Sequence, residues 1–139
     1  MVGSGGVHVD APAVRGAEAR ACTALVDGLP DHVTDQSRRT VHGTGYAAAW
    51  GDPAIVLRCG VRRPAGLDAF ASCQVVDGVG WFIPEAQQTG RPHDITMTTV
   101  GRAEYVEVRL PARYWPPAAA MVDLARAVKQ SIPERQPCQ

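Results

Sequence analysis

The sequence predicts an α+β domain: an antiparallel sheet of about five strands, an N-terminal and a C-terminal helix packed on one face, and two disulfides. Three observations predict it. Apolar stripes of helical period lie near the two ends of the chain. Between them run segments of period-two alternation, joined mostly by turns short enough for antiparallel neighbours. Four cysteines, Cys22, Cys59, Cys73 and Cys138, stand at wide spacings with no Cys-x-x-Cys pair. An even, wide set reads as two disulfides in an exported domain rather than as a metal or redox site.

Residues 1–12 read as a disordered leader, and residues 13–139 as a single exported domain. The opening Met-Val-Gly-Ser-Gly-Gly looks like a cloning leader, standing where an export signal has been removed. Residues 13–29 read as a helix, with Ala21, Cys22, Leu25 and Leu29 on one face and Gly28 and Pro30 at its stop. Residues 38–42 read as a short strand. Strands 46–50 and 54–61 flank the turn Gly51-Asp52-Pro53. In the second, Ile55, Leu57, Cys59 and Val61 alternate with Val56, Arg58 and Gly60, so Cys59 lies on the buried face.

Cys73 opens a second hairpin, whose Asp77-Gly78 pair suits a type I′ turn. Val79, Trp81 and Ile83 share a face beyond it. After a polar loop over residues 85–92, Ile95, Met97 and Thr99 alternate with Thr96, Thr98 and Val100. Gly101-Arg102 reads as a two-residue turn of type II′. Val106, Val108 and Leu110 then define the clearest half-buried strand. Pro116-Pro117 starts the last helix, with the stripe Met121, Leu124, Ala125, Val128 and Ile132, and Pro133 ends it.

The bulk composition excludes several classes. A chain of 139 residues suits one domain and can bury a real core. Fourteen basic and fourteen acidic side chains cancel, so there is no electrostatic footprint for nucleic acid or for a polybasic membrane contact. No apolar run approaches the ~20 residues of a transmembrane helix. All basic residues but Lys129 are Arg, and Asn is absent, which also removes any N-glycosylation site.

Four cysteines allow three connectivities. The preferred reading joins Cys59 to Cys73, closing a loop of about fifteen residues worth ~3 kcal/mol on the chain-entropy model. Cys22 and Cys138 then tie the first helix to the tail. No metal is expected, because His8, His32, His42 and His93 are isolated from one another and from the cysteines. No cofactor is expected either: the glycines at 3, 5 and 6 do not follow a strand, so they build no phosphate loop. Neither Gly-x-Ser-x-Gly nor His-Glu-x-x-His occurs, so no catalytic residue is assigned.

The arginines carry the functional signal. Arg58 faces away from Cys59 on its strand, and Arg102 caps a hairpin beside Thr98. Guanidinium groups there suit a carboxylate or phosphate. The candidate binding residues are therefore Arg58, Arg102, Thr98, Trp50 and Asp52. The competing assignment is a solvated sheet face with Arg58 or Arg109 paired to Glu104 or Glu107. Trp81 reads as core. Trp50 and Trp115, beside Gly51 and Pro116, are candidates to line a groove.

Ala49-Trp50-Gly51-Asp52-Pro53 followed by Ile55-Val56-Leu57-Arg58-Cys59-Gly60-Val61 resembles an actinobacterial family of small exported proteins, domain of unknown function 3515. The Cys73 hairpin reaching Gly78-Val79-Gly80-Trp81, the stretch Thr98-Thr99-Val100-Gly101-Arg102 and the Cys22 helix ending in Leu29-Pro30 extend the likeness from Cys22 to Cys138. Val100 stands where the family pattern has an aromatic residue, and Gly80 where it has an acid. The resemblance implies secreted proteins or lipoproteins and no established activity.

Three functions compete. The first is a non-enzymatic, extracytoplasmic binding module, whose partner is an envelope protein or a small anionic ligand. The second is an envelope enzyme acting on an anionic substrate, which needs Arg58, Arg102, Asp52 and Trp50 around one cleft. The third is a structural subunit of an envelope complex, which needs an exposed apolar patch of several hundred Å2, on the order of the largest patches of monomers.

Overall fold

The alternating segments become strands and both end stripes become helices. The computed structural model of the protein describes residues 6–69 and 71–137. In chain order the elements are β1 (Val7–His8), α1 (Gly16–Gly28), β2 (His32–Val33), β3 (Gln36–Arg39), β4 (Val41–His42), β5 (Tyr46–Trp50), β6 (Ile55–Val61), β7 (Gln74–Val76), β8 (Val79–Phe82), β9 (Ile95–Val100), β10 (Tyr105–Leu110) and α2 (Ala118–Ser131). Eight of the strands form one antiparallel sheet in the order β2-β3-β5-β6-β10-β9-β8-β7. It is wider than the five or so strands expected, chiefly because β2, β3 and β7 are short.

Both helices cover one face. Ile55, Leu57 and Cys59 of β6 point inward, in register with Val106 and Val108 of β10 and with Trp50 and Ala48 of β5. α1 lies over β5 and β6, α2 over β2, β7 and β8, and the helices touch each other. α1 starts at Gly16, three residues later than expected. Gly16 has φ +57°, a left-handed backbone from which no right-handed helix runs back. The helix stops because Leu29 precedes Pro30 and is driven to an extended conformation (φ −68°, ψ 147°). The expected stripe of α2 is buried throughout, and Ile132 closes it. Each fully buried Leu or Met contributes about 1.5–3 kcal/mol.

Residues 7–11 are not a loose leader. The N–H groups of Val7, Val9 and Ala11 donate to the carbonyls of Thr40, His42 and Thr44, each at 2.8 Å. Val9 and Ala11 are buried. The expected boundary at residue 12 therefore falls too late. The expected strand over residues 38–42 divides: β3 joins the main sheet, and β4 pairs in parallel with β1. The Gly101-Arg102 turn is also longer than two residues, since β9 ends at Val100 and β10 begins at Tyr105. At the start of β10 the register shifts, and the buried Thr99 Oγ1 accepts the Val106 N–H at 2.9 Å.

The cysteine pairing differs from the expected one. Cys22 of α1 bonds Cys59 of β6, with the Cα atoms 5.7 Å apart. Both cysteines are buried, as the periodicity predicts, and they face each other across the helix–sheet interface. A Cys59–Cys73 bond is excluded by the strand order. Cys73 immediately precedes β7, four strand positions from β6, or ~19 Å at the usual strand spacing. A disulfide spans at most ~7 Å between Cα atoms. The expected Cys22–Cys138 bond is excluded because Cys22 is already bonded; Cys138 itself lies outside the described residues. No free cysteine occurs among the described residues.

Candidate functional site

The five candidate binding residues separate. Trp50 is fully buried, donating its Nε1–H to the Pro30 carbonyl at 3.0 Å, with the Arg38 guanidinium 5.5 Å from the ring centroid. It joins the end of α1 to the sheet and lines no groove. Asp52 is exposed in the β5–β6 turn, ahead of the cis-proline Pro53. Arg102 lies in the β9–β10 turn, at the Val61 end of β6, whereas Asp52 lies at the Ile55 end. Seven strand residues separate those ends, about 20 Å. The shared cleft of Arg58, Arg102, Asp52 and Trp50 does not form.

Arg58 and Thr98 do meet a common neighbour. On the outer sheet face, Phe82, Thr98, Glu107, Arg58 and Ala47 stand in one cross-strand row. Glu107 Oε2 accepts both Nε and Nη2 of Arg58, at 2.9 and 2.8 Å. Arg58 Nη1 also donates to the Asp10 carbonyl at 3.1 Å, tying residues 7–11 to the sheet. Thr98 lies on this outer face and is buried there. The loop after β6 crosses the outer face toward β7, with Gly66 beside the Phe82 ring. Arg58 is thus the ion-pair partner of Glu107.

Arg102 is held by main-chain carbonyls. Its Nη1 donates to Ile132 at the end of α2 (2.8 Å) and its Nη2 to Gly78 in the β7–β8 turn (3.1 Å). The tail beyond α2 is pinned to the same place. Gly101 O accepts the N–H groups of Arg135 and Gln136 at 2.7 and 2.9 Å. A side chain at Gly101 would overlap the Gln136 main chain, and φ there is +76°, so this close approach requires glycine. The expected ligand-facing arginine thus also joins two hairpin turns to a helix end.

Two of the clefts formed by the described residues suit a ligand. The first, about 370 Å3, lies between β8, the loop after it and the start of α2. Trp115, half-buried, forms its aromatic wall, with the fully buried Trp81 packed behind. Ser72, Gln87, Gln88 and Thr89 give it hydroxyl and amide groups, and no ionisable side chain lines it among the described residues. Gln87 Oε1 accepts the Thr96 N–H, which leaves the Gln87 amide N–H groups to donate. Gln88 Nε2 donates to the Ile83 carbonyl, which leaves its Oε1 to accept. The Trp81 Nε1–H is buried with no hydrogen-bond partner among the described residues, a situation costing about 1–3 kcal/mol. Thr89 Oγ1 lies 3.2 Å from His93 Nδ1, but both ring nitrogens also contact main-chain carbonyls, those of Arg91 and Gln87.

The second cleft, about 530 Å3, lies between the loop after β6, the β9–β10 turn and the tail. Arg63, Arg102 and Arg135 line it with Tyr105. Sequence reasoning has no signal for grouping them, since the three arginines come from segments far apart in the chain. Near it, burial and the facing Glu18 push the Glu104 carboxyl above its ordinary range, and Arg135 opposes them. An acid raised in the folded state makes stability fall as pH rises from its unfolded value through its folded one. Glu104→Gln is therefore expected to raise the melting temperature modestly at neutral pH and to change nothing below pH ~4, where Glu104 is neutral anyway. Melting curves across this range check it. Equal effects at both ends would remove Glu104 ionisation as the cause.

Among the described residues no helix is long and apolar enough to cross a membrane, and no three His, Cys, Asp or Glu side chains gather as a metal site. The fold defines a disulfide-linked α+β domain, with two helices on an eight-stranded antiparallel sheet. The chain matches a family described as protein of unknown function (DUF3515) over residues 4–137, and it belongs to that family. No curated protein and no solved structure matches it.

Proposed function

We propose that this chain is a non-enzymatic, extracytoplasmic binding module of one domain, and that its ligand is neutral and polar. The observation that carries the reading is the cleft walled by Trp115 and edged by amide and hydroxyl groups, without an ionisable side chain among the described residues. General acid–base chemistry needs a titratable group at the reacting atoms, and recognition does not. The Trp115 indole offers an apolar surface at low entropic cost, and the free donor on Gln87 and free acceptor on Gln88 suit a ligand bearing hydroxyl groups. The formed Cys22–Cys59 bond supports an oxidising compartment. The core shared by both helices and the sheet supports one domain. The structural-subunit reading gains nothing from the exposed large apolar side chains, Val75 and Val122, which stand on different elements.

Titration of tryptophan fluorescence with a series of neutral saccharides tests the reading. The expected result is a saturable change that is insensitive to ionic strength. Gln88→Ala should weaken it by about tenfold, the equivalent of one ~1.4 kcal/mol contact, while the loss of its bond to the Ile83 carbonyl lowers stability by about 1 kcal/mol or less. Full affinity in both Gln88→Ala and Trp115→Phe would move the ligand out of this cleft.

A further inference from the structure

We propose that the second cleft is an anion site for a phosphoryl group, held by Arg63, Arg102 and Arg135. The three guanidiniums come from the loop after β6, the β9–β10 turn and the tail after α2, and all line one recess of about 530 Å3. The hydrogen-bond partners of Arg63 and Arg102 are neutral, and Arg135 faces the Glu104 carboxyl beyond ion-pair distance. Arg63 donates Nε and Nη2 to the Leu67 carbonyl and Nη1 to the Tyr105 hydroxyl. Arg102 donates to the carbonyls of Ile132 and Gly78. None of the three has a carboxylate within ion-pair distance among the described residues.

Carbonyls orient a guanidinium without cancelling its charge. The recess therefore sets three cations against one lining carboxylate, Asp68, with Glu104 beside Arg135, on a chain whose formal net charge is +0. Concentrated charge of one sign in a recess raises the local concentration of the opposite ion. Unused N–H groups remain on Arg63 and Arg102, and Arg135 adds a third fork. A planar fork matches phosphate oxygens, and three forks fit the three oxygens and double charge of a phosphoryl group better than the two oxygens of a carboxylate. The Tyr105 hydroxyl accepts from Arg63 and keeps its own proton to donate. The main-chain bonds of Arg135 and Gln136 to Gly101 fix the tail on the turn, so the site is assembled before a ligand arrives.

The probe is inorganic phosphate, titrated at constant ionic strength against the 15N-labelled protein, reading the amides of Gly101, Arg102, Tyr105 and Gln136. Saturable shifts at these amides, absent with chloride, are expected. Arg135→Gln should weaken phosphate by about fivefold or more, while Arg113→Gln, an exposed arginine elsewhere, should leave it unchanged. Arg63→Gln serves as a second variant, each being used only where its amide spectrum stays dispersed. Sedimentation with phosphatidylglycerol vesicles separates the sources of the phosphoryl group. Phosphate-competed cosedimentation points to a lipid headgroup, and binding of phosphate without cosedimentation to a soluble ligand; both support the site. Shifts that chloride reproduces, or unweakened phosphate binding in folded Arg135→Gln and Arg63→Gln, overturn it. The saccharide titration at the first cleft is independent of these variants, so the two readings fail separately.

Discussion

A Cys22→Ala, Cys59→Ala variant is expected to lose about 4 kcal/mol of stability, and its melting temperature about 10–20 °C. The bond closes a loop of sequence separation 37 and joins the buried face of α1 to the centre of the sheet. Alanine is the right replacement because a serine pair would leave two hydroxyls in an apolar interface. Calorimetry reads the shift, and amide exchange should rise most in α1. Non-reducing peptide mapping of the wild type should give one peptide pair joining Cys22 to Cys59. The remaining two cysteines, Cys73 and Cys138, should form the other. A peptide joining Cys59 to Cys73 would contradict the strand order itself.

The pairing shows where sequence reasoning stops. The periodicity of 54–61 places Cys59 on the inner face, and the stripe of the first helix places Cys22 on its buried side. Both placements hold. The partner depends on which strand lies beneath α1, and strand order is a non-local property. The same limit explains why the hairpin of β2 and β3 has no sequence signal. Its turn residues, Thr34 and Asp35, take φ +52° and +62°, a conformation usually supplied by Asn-Gly. The Thr34 N–H bonds Asp123 of α2 at 2.8 Å, a contact 89 residues away in sequence. By contrast, Asp77-Gly78 is a local signal and forms the expected hairpin with positive φ at both residues.

The clefts are legible in the sequence only in fragments. Trp115, a candidate groove residue, does line the first cleft, whereas Trp50, in a more characteristic motif, is core. The difference lies in what packs above each ring, which no local pattern records. Gln87, Gln88 and Thr89 read as an ordinary polar loop. Their bonds to Thr96, Ile83 and His93 are what orient them. Arg102 stands out for its turn, yet its company with Arg63 and Arg135 arises from three segments that only the folded chain brings together.

Replacing Arg58 by Met is expected to cost about 2–3 kcal/mol. That is less than the ~3–5 kcal/mol for breaking a fully buried pair, because Arg58 keeps 25% side-chain exposure and Glu107 13%. The loss comes from Glu107, which is left in the row between Thr98 and an uncharged thioether, with Arg109 at 3.7 Å as its remaining cation among the described residues. The double replacement Arg58→Met, Glu107→Leu should therefore recover to within about 1 kcal/mol of the wild type, since removing both charges also removes their desolvation. Arg109→Ala, at a side chain 65% exposed, should change stability by only a few tenths, about 0–1 kcal/mol at most. Urea titrations of these proteins, with Glu107→Leu alone completing the cycle, measure the coupling. Arg58 also holds the Asp10 carbonyl, so amide exchange at Val9 and Ala11 should rise in Arg58→Met and stay raised in the double variant. An Arg58→Met protein of unchanged stability that binds phosphate more weakly would return this arginine to the role of a ligand contact.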